Sequence, residues 1–154
     1  MATTKFITKA IKNGLISTLG NLDATENGTK TQAVSGSSSN IFDSYPAIRV
    51  LPNDIDNETE TNRTDQRSSK FTLLVHIEVE KDSQTSEETA YDTMYDLQDI
   101  IFDKLQGYDW TNTLNVLQTQ ATYGGYEFLE MKNGLNLVFR IDVTVSIHVV
   151  CRLC

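Results

Sequence analysis

Sulfur and ring-constrained residues are scarce in this chain of 154 residues, which holds two cysteines, two prolines and one tryptophan. So few cysteines exclude a scaffold stapled by disulfides. The pair forms Cys151-Arg-Leu-Cys154, a spacing shared by redox and metal motifs. A redox pair wants a helix N-terminus to lower its thiol pKa, and here the pair ends a strand-like run. A structural zinc wants further ligands, and only His76 and His148 are on offer, at positions unlike a ligand knuckle. The cysteines therefore read as inert thiols, and neither a metal nor a cofactor is expected. No stretch approaches the roughly 18 apolar residues of a membrane span, and no run of signal-peptide length follows Met1. The expectation is a soluble protein of a reducing compartment, with no membrane contact. Cations are also in deficit: 13 Lys and Arg face 21 Asp and Glu, for a formal charge of −8. That sign argues against a basic nucleic-acid footprint. The length suits a single domain over 1–154.

What is present is periodicity. Phe6, Ile7, Ala10, Ile11, Gly14, Leu15 and Leu19 recur at helical spacing and predict a helix over 5–19. Lys5, Lys9 and Lys12 take its other side and read as an ordinary wet face, with a docking contact for an acidic partner surface as the alternative. A polar stretch over 21–44, rich in Ser, Thr, Asn and Gly, exceeds the usual loop length and is expected to be mobile. Ala47, Ile48, Val50 and Leu51 form a short strand between Pro46 and Pro52, expected at an edge or strictly bounded. A second polar insert runs over 53–70. Residues 71–80 alternate cleanly as a strand, with His76 on its second face, expected at a surface or interface. Thr85 with Glu88 resembles a capping box. It opens a helix over about 86–106 on the stripe Ala90, Met94, Leu97, Ile101 and Leu105, widened by Tyr91, Tyr95 and Phe102. A further strand over 113–123 meets Gly124-Gly125, a turn or bulge, beyond which Tyr126, Phe128 and Met131 offer a continuation. Asn133-Gly134 is a favoured turn pair. From it runs a strand over 135–149 whose odd residues are all apolar. Fifteen residues of alternation exceed the usual strand, so it is expected to project beyond its sheet or pair outside the monomer. The fold class is α+β: a mixed or antiparallel four-stranded sheet with two helices on one face, in the order α-β-β-α-β-β, with long polar inserts.

Catalytic patterns are missing. Gly124-Gly125 runs into Tyr-Glu-Phe rather than a helix, so it does not cradle phosphate. Neither histidine sits in a zinc-protease or nucleophile-elbow context. Asp54, Asp56 and Glu58 fail the calcium-loop spacing, with no glycine to make its turn. The carboxylates Glu87, Glu88, Asp96, Asp99 and Asp103 read as a wet helix face, and Trp110 as a hydrophobic plug. No catalytic residue is assigned. Inserts that cannot pack on their own chain suit an assembly protein whose neighbours order them. Acidic residues concentrate in the second insert and in 78–109, whereas the first helix is locally basic, and such polarity suits stacking between unlike surfaces.

The chain resembles the tail terminator, or tail completion, proteins of long-tailed bacteriophages. The matching pieces are the amphipathic helix 5–19, the segment Tyr45-Pro-Ala-Ile-Arg-Val-Leu51, and a polar, arginine-bearing loop. This loop enters Arg67-Ser-Ser-Lys-Phe-Thr-Leu-Leu-Val-His-Ile-Glu-Val79. The long helix and the closing hairpin complete the set. The segment 21–44 is longer and richer in Ser and Thr than that family's pattern. The resemblance implies a non-enzymatic subunit of a hexameric ring in the virion, assembled in the host cytoplasm. The ring would cap the finished tail tube, end its polymerisation and meet the head–tail connector, with DNA passing through its lumen unbound. Subunit or partner contacts would come from Arg63, Arg67, Lys5, Lys9, Lys12 and Arg140. A connector or head-closure protein is the alternative within virion assembly. A small ligand-binding or enzymatic α+β domain is the alternative of another class.

Overall fold

A computed structural model describes residues 7–20, 23–24, 29–30, 33–35, 46–53, 66–105, 116–131 and 134–148. Helix α1 spans Ile7–Gly20. Three short strands follow, β1 (Asp23–Ala24), β2 (Thr29–Lys30) and β3 (Ala33–Ser35), then β4 (Ala47–Pro52) and β5 (Gln66–Val79). Helix α2 spans Gln84–Leu105, and β6 (Val116–Met131) and β7 (Gly134–His148) close the order. The fold is α+β as expected. Its main sheet is the antiparallel series β4-β5-β7-β6, and β3 adds a short parallel strand beside β4. Strands β1 to β3 all lie inside the polar stretch 21–44, and β1 and β2 pair separately.

The core follows from alternation. Phe71, Leu73, Val75, Ile77 and Val79 of β5 stand opposite Val143, Ile141, Phe139, Leu137 and Leu135 of β7. All but the half-buried Leu135 are buried. Ile48 and Val50 of β4 extend the same face. Both helices lie on it: Ile11, Leu15 and Leu19 from α1, and Ala90, Met94, Leu97, Ile101 and Leu105 from α2, join one cluster with these strand residues. A stripe that returns to one side of a helix every three or four residues can dock on a sheet face in this way. Of the aromatics expected to widen the α2 stripe, Tyr91 and Phe102 are half-buried against the core, whereas Tyr95 is exposed.

Several boundaries differ from the sequence reading. Strand β5 begins at Gln66, so the second insert ends five residues earlier than its composition indicates; polar Ser68 and Lys70 pair with Ser146 and Thr144 of β7. The long strand β7 neither projects nor waits for an outside partner. It pairs with β5 along the whole of that strand on one side (Gln66↔His148 to Val79↔Leu135) and with β6 on the other. Strand β4 is bounded rather than an edge: Ala47 to Arg49 pair with β3, and Pro52, where a missing N–H costs little, ends it. Strand β6 passes through Gly124-Gly125 as a bulge between Tyr123 and Tyr126. Gly125 has φ +96°, and Gly124 lies under Arg140, whose Cγ would sit 3.0 Å from an added Cβ.

The cap of α2 is also displaced. Ser83, not Thr85, is the N-cap: its Oγ accepts the Ser86 N–H at 3.2 Å and its carbonyl accepts the Glu87 N–H at 3.0 Å. Ser86 in turn accepts the Glu80 N–H at 2.8 Å. The reversal at Lys81-Asp82, with Asp82 at φ +62°, starts the helix two residues sooner than the Thr85 pattern predicts. Replacing Ser83 with Ala is expected to cost about 1 kcal/mol, and replacing Thr85 with Ala under about 0.5 kcal/mol. Urea unfolding of the two variants checks the assignment.

Candidate functional site

The sheet face opposite the helices holds polar groups in register. Arg49 is only 7% exposed and His76 is fully buried. The Arg49 Nε donates to His76 Nε2 at 2.9 Å, which places the imidazole proton on Nδ1. The expectation of a surface histidine is therefore corrected: His76 lies on the second face, but it is sealed there beside a guanidinium. Burial first, and the Arg49 charge second, press its pKa down to about 4. Burial also lowers the pKa of Arg49. With its Nε2 lone pair taken by a guanidinium and its proton on Nδ1, this neutral imidazole has no free lone pair to accept a further proton near neutral pH.

Next along this face, Arg140 Nε meets Asp142 Oδ1 at 2.8 Å, and Thr72 Oγ1 donates to the same carboxylate at 3.3 Å. Ser68 and Ser146 share a hydrogen bond of 2.8 Å across their register pair. These links tie β5 to β7 and β7 to itself. Ser68–Ser146 and Thr72–Asp142 are cross-strand pairs of the ordinary stabilising kind, and Arg140–Asp142 is a same-face pair within β7.

The second candidate lies at the other side of the molecule. Strand β6 is the outer strand of the main sheet. Tyr91 of α2 packs edge-on against Tyr126 and Phe128 of β6, with ring centroids 5.6 and 5.8 Å apart, and Tyr126 meets Phe128 at 6.2 Å. Edge-to-face rings at this spacing attract through their quadrupoles. The pKa of the Tyr91 hydroxyl is pushed up to about 12, chiefly by hydrogen bonding with Tyr126, then by desolvation and by the charges of Tyr126 and Glu87. It also donates to Glu87 Oε1 at 3.3 Å. Tyr126 is 48% exposed and Tyr95 56%. Burial and the neighbouring Tyr126 and Tyr95 raise the pKa of Tyr123. Together these tyrosines make an amphipathic strip along the outer strand. Beside it, a hollow of about 360 Å³ borders the α2 start, lined by Glu80, Lys81, Ser83, Glu87, Phe128 and Leu135 among others. The Lys81–Glu130 ion pair at 3.2 Å crosses from the turn to β6, with both side chains mostly in solvent.

Of the residues assigned to contacts from sequence, those described lie on different elements. Lys9 is exposed and Lys12 half-exposed on α1. Arg140 lies in the middle of the sheet and its charge is answered by Asp142. Arg67 stands in β5 opposite Ile147. Lys5, Arg63, Trp110, Cys151 and Cys154 lie outside the described residues. Sequence reasoning set Tyr91 and Tyr95 beside the apolar stripe of α2 but missed the tyrosine strip, because Tyr91 meets Tyr126 and Phe128, and Tyr95 nears Tyr123, only once β6 is folded beside α2. It missed the Arg49–His76 pair because the two are distant in sequence and meet only through the β4–β5 register.

No protein-family model matches the chain, and no curated protein matches it either. Among the described residues, no group of three or more His, Cys, Asp or Glu is placed to hold a metal, and no helix is long and apolar enough to cross a membrane.

The Arg49–His76 pair has a pH signature. The unfolded histidine takes a proton below about pH 6.5, whereas the folded one resists until about pH 4. Within that window the unfolded state binds more protons, so stability falls as the pH falls. His76→Gln keeps an acceptor for Arg49 and removes the titration. Urea unfolding is expected to show the wild type losing about 2 to 3 kcal/mol more than H76Q between about pH 7 and about pH 4.5.

Proposed function

We propose that the chain is a structural assembly protein of the tail-terminator type. It forms a homo-oligomeric ring that caps a completed phage tail tube, stops further addition of tube subunits and meets the head–tail connector. Its place is the tail or neck of the virion, assembled in the host cytoplasm, with DNA passing through the ring. The observation that supports an assembly role best is the long outer strand β6, which has no strand on its far side among the described residues, carries the exposed Tyr126 and lies beside α2 with its exposed Tyr95. Tyrosines beside an open strand edge offer large, half-apolar contact area at low entropic cost, which is the composition of a protein interface. The ring form and the tube partner rest on the resemblance of element order and strand cadence. The acidic balance of −8 is consistent with a lumen that does not retain DNA.

Light scattering is expected to give a particle of several 17.3 kDa chains, a hexamer if the family geometry holds, either alone or on tube ends. Added to polymerising tube protein, the chain is expected to halt elongation, and deletion of its gene to yield tails of abnormal length. Normal tails beside DNA-filled heads that leak would instead identify a connector. A stable monomer that leaves tube growth unchanged would overturn both.

A further inference from the structure

The two sides of the main sheet differ in a way that specifies how copies meet. One side ends in β6, which has no lysine, arginine or proline between Val116 and Met131, the residues that commonly blunt an exposed edge. Above it lies α2, whose charges are Glu87, Glu88, Asp92, Asp96, Asp99 and Asp103 against Lys104. Asp92 and Asp99 are exposed one helical turn before and after exposed Tyr95. The opposite side of the sheet ends in β3 and β4, with α1 packed against both. That helix carries Lys9 and Lys12 and no carboxylate.

We infer that the β6 edge and the Tyr95 side of α2 in one copy receive the β3–β4 edge and the lysines of α1 in the next. The inference deepens the proposed ring and rests on its being built from copies of this chain. Three observations select this occupant. Strand directions alternate along β4-β5-β7-β6, so β6 runs opposite to β4 and to its parallel neighbour β3. A second copy set beside β6 in the same orientation therefore presents an antiparallel partner, the pairing already used through the main sheet. Both helices lie on one face, so this placement also keeps α2 of one copy and α1 of the next in a single layer. Charge then excludes the competing arrangement. A two-fold pairing of β6 with β6 sets the acidic α2 against its own copy, whereas head-to-tail pairing sets it against Lys9 and Lys12. Tyr95 and Tyr126 supply faces on which a lysine ammonium can rest. A head-to-tail contact is heterologous, and with a suitable rotation per step it closes into a ring.

The test uses the full chain with p-benzoylphenylalanine in place of Tyr95, mixed as light and nitrogen-15-labelled copies so that cross-links between copies are recognised by mass. Photo-cross-links are expected to join position 95 of one copy to Ile7–Gly20 of another. Cross-links from position 95 to α2 of the second copy would establish the two-fold arrangement and overturn the inference. Charge reversal supplies an independent readout. Lys9→Glu with Lys12→Glu, and separately Asp92→Lys with Asp99→Lys, are each expected to raise the association midpoint by about tenfold, with an equimolar mixture of the two variants recovering most of the loss. All four substitutions lie at exposed or half-exposed positions, and far-ultraviolet circular dichroism checks that the variants fold. A ring that forms unchanged with either reversal overturns this contact and leaves the ring reading standing. Correctly cross-linked particles beside tubes that lengthen unchecked overturn the capping reading and leave the contact standing. A chain that stays monomeric at about 100 μM both alone and in the presence of tube ends, where even weak specific contacts form, overturns the contact.

Discussion

Strand β7 is the element on which the other parts depend. It is hydrogen-bonded on both sides, to β5 and to β6, along nearly all of Gly134–His148. Its side chains alternate between the two faces, so its register decides which residues of three strands enter the core. A slip of one residue would turn Leu137, Phe139, Ile141, Val143, Val145 and Ile147 to the far face and bring Arg140 and Asp142 under the helices. Burying that ion pair in an apolar layer would cost more than its mutual attraction returns. The alternation and the polar pairs therefore enforce the same register from opposite faces.

Around that strand the molecule separates rigid from available surface. The face away from the helices is bound up in its own contacts: Arg49 with His76, Arg140 with Asp142, Ser68 with Ser146. The first of these pins β4 to β5, the last pins β5 to β7, and Thr72 adds a second link from β5 to Asp142 of β7. The β6 side is organised differently. Its aromatic rings satisfy one another and still leave Tyr95 and Tyr126 about half in solvent. The molecule thus concentrates paired polar groups on one sheet face and half-exposed aromatics along one border.

The parts of the fold that could be read from sequence are those fixed by local periodicity. The buried set of α2, Ala90 to Leu105, matches its spacing residue for residue, and the odd residues of β5 and β7 fall on the core face as alternation requires. Elements set by pairing were harder. Gln66 to Lys70 look like loop because they are polar, yet they form strand because β7 extends far enough to hydrogen-bond them. The cap at Ser83 was hidden by an equally plausible Thr85 pattern two residues on, and the turn at Asp82 decides between them. The candidate interface was legible in part: the basic character of the first helix and the acidic character of the second are visible in the sequence. Their positions at opposite sides of one sheet depend on strand order, which periodicity does not carry.

The bulge at Gly124-Gly125 bears on what this open edge can accept. A flat, uninterrupted edge of 16 residues would template copy upon copy in a cross-β stack, each added strand regenerating the same edge. The extra residue at the bulge bends and twists β6 near its midpoint, and the φ of +96° at Gly125 holds it there. A strand that joins this border must follow the bend, so indiscriminate stacking of extended chains is disfavoured while a neighbour of matching curvature is not. Two glycines thus place a shape filter on an edge that has neither lysine nor proline to guard it.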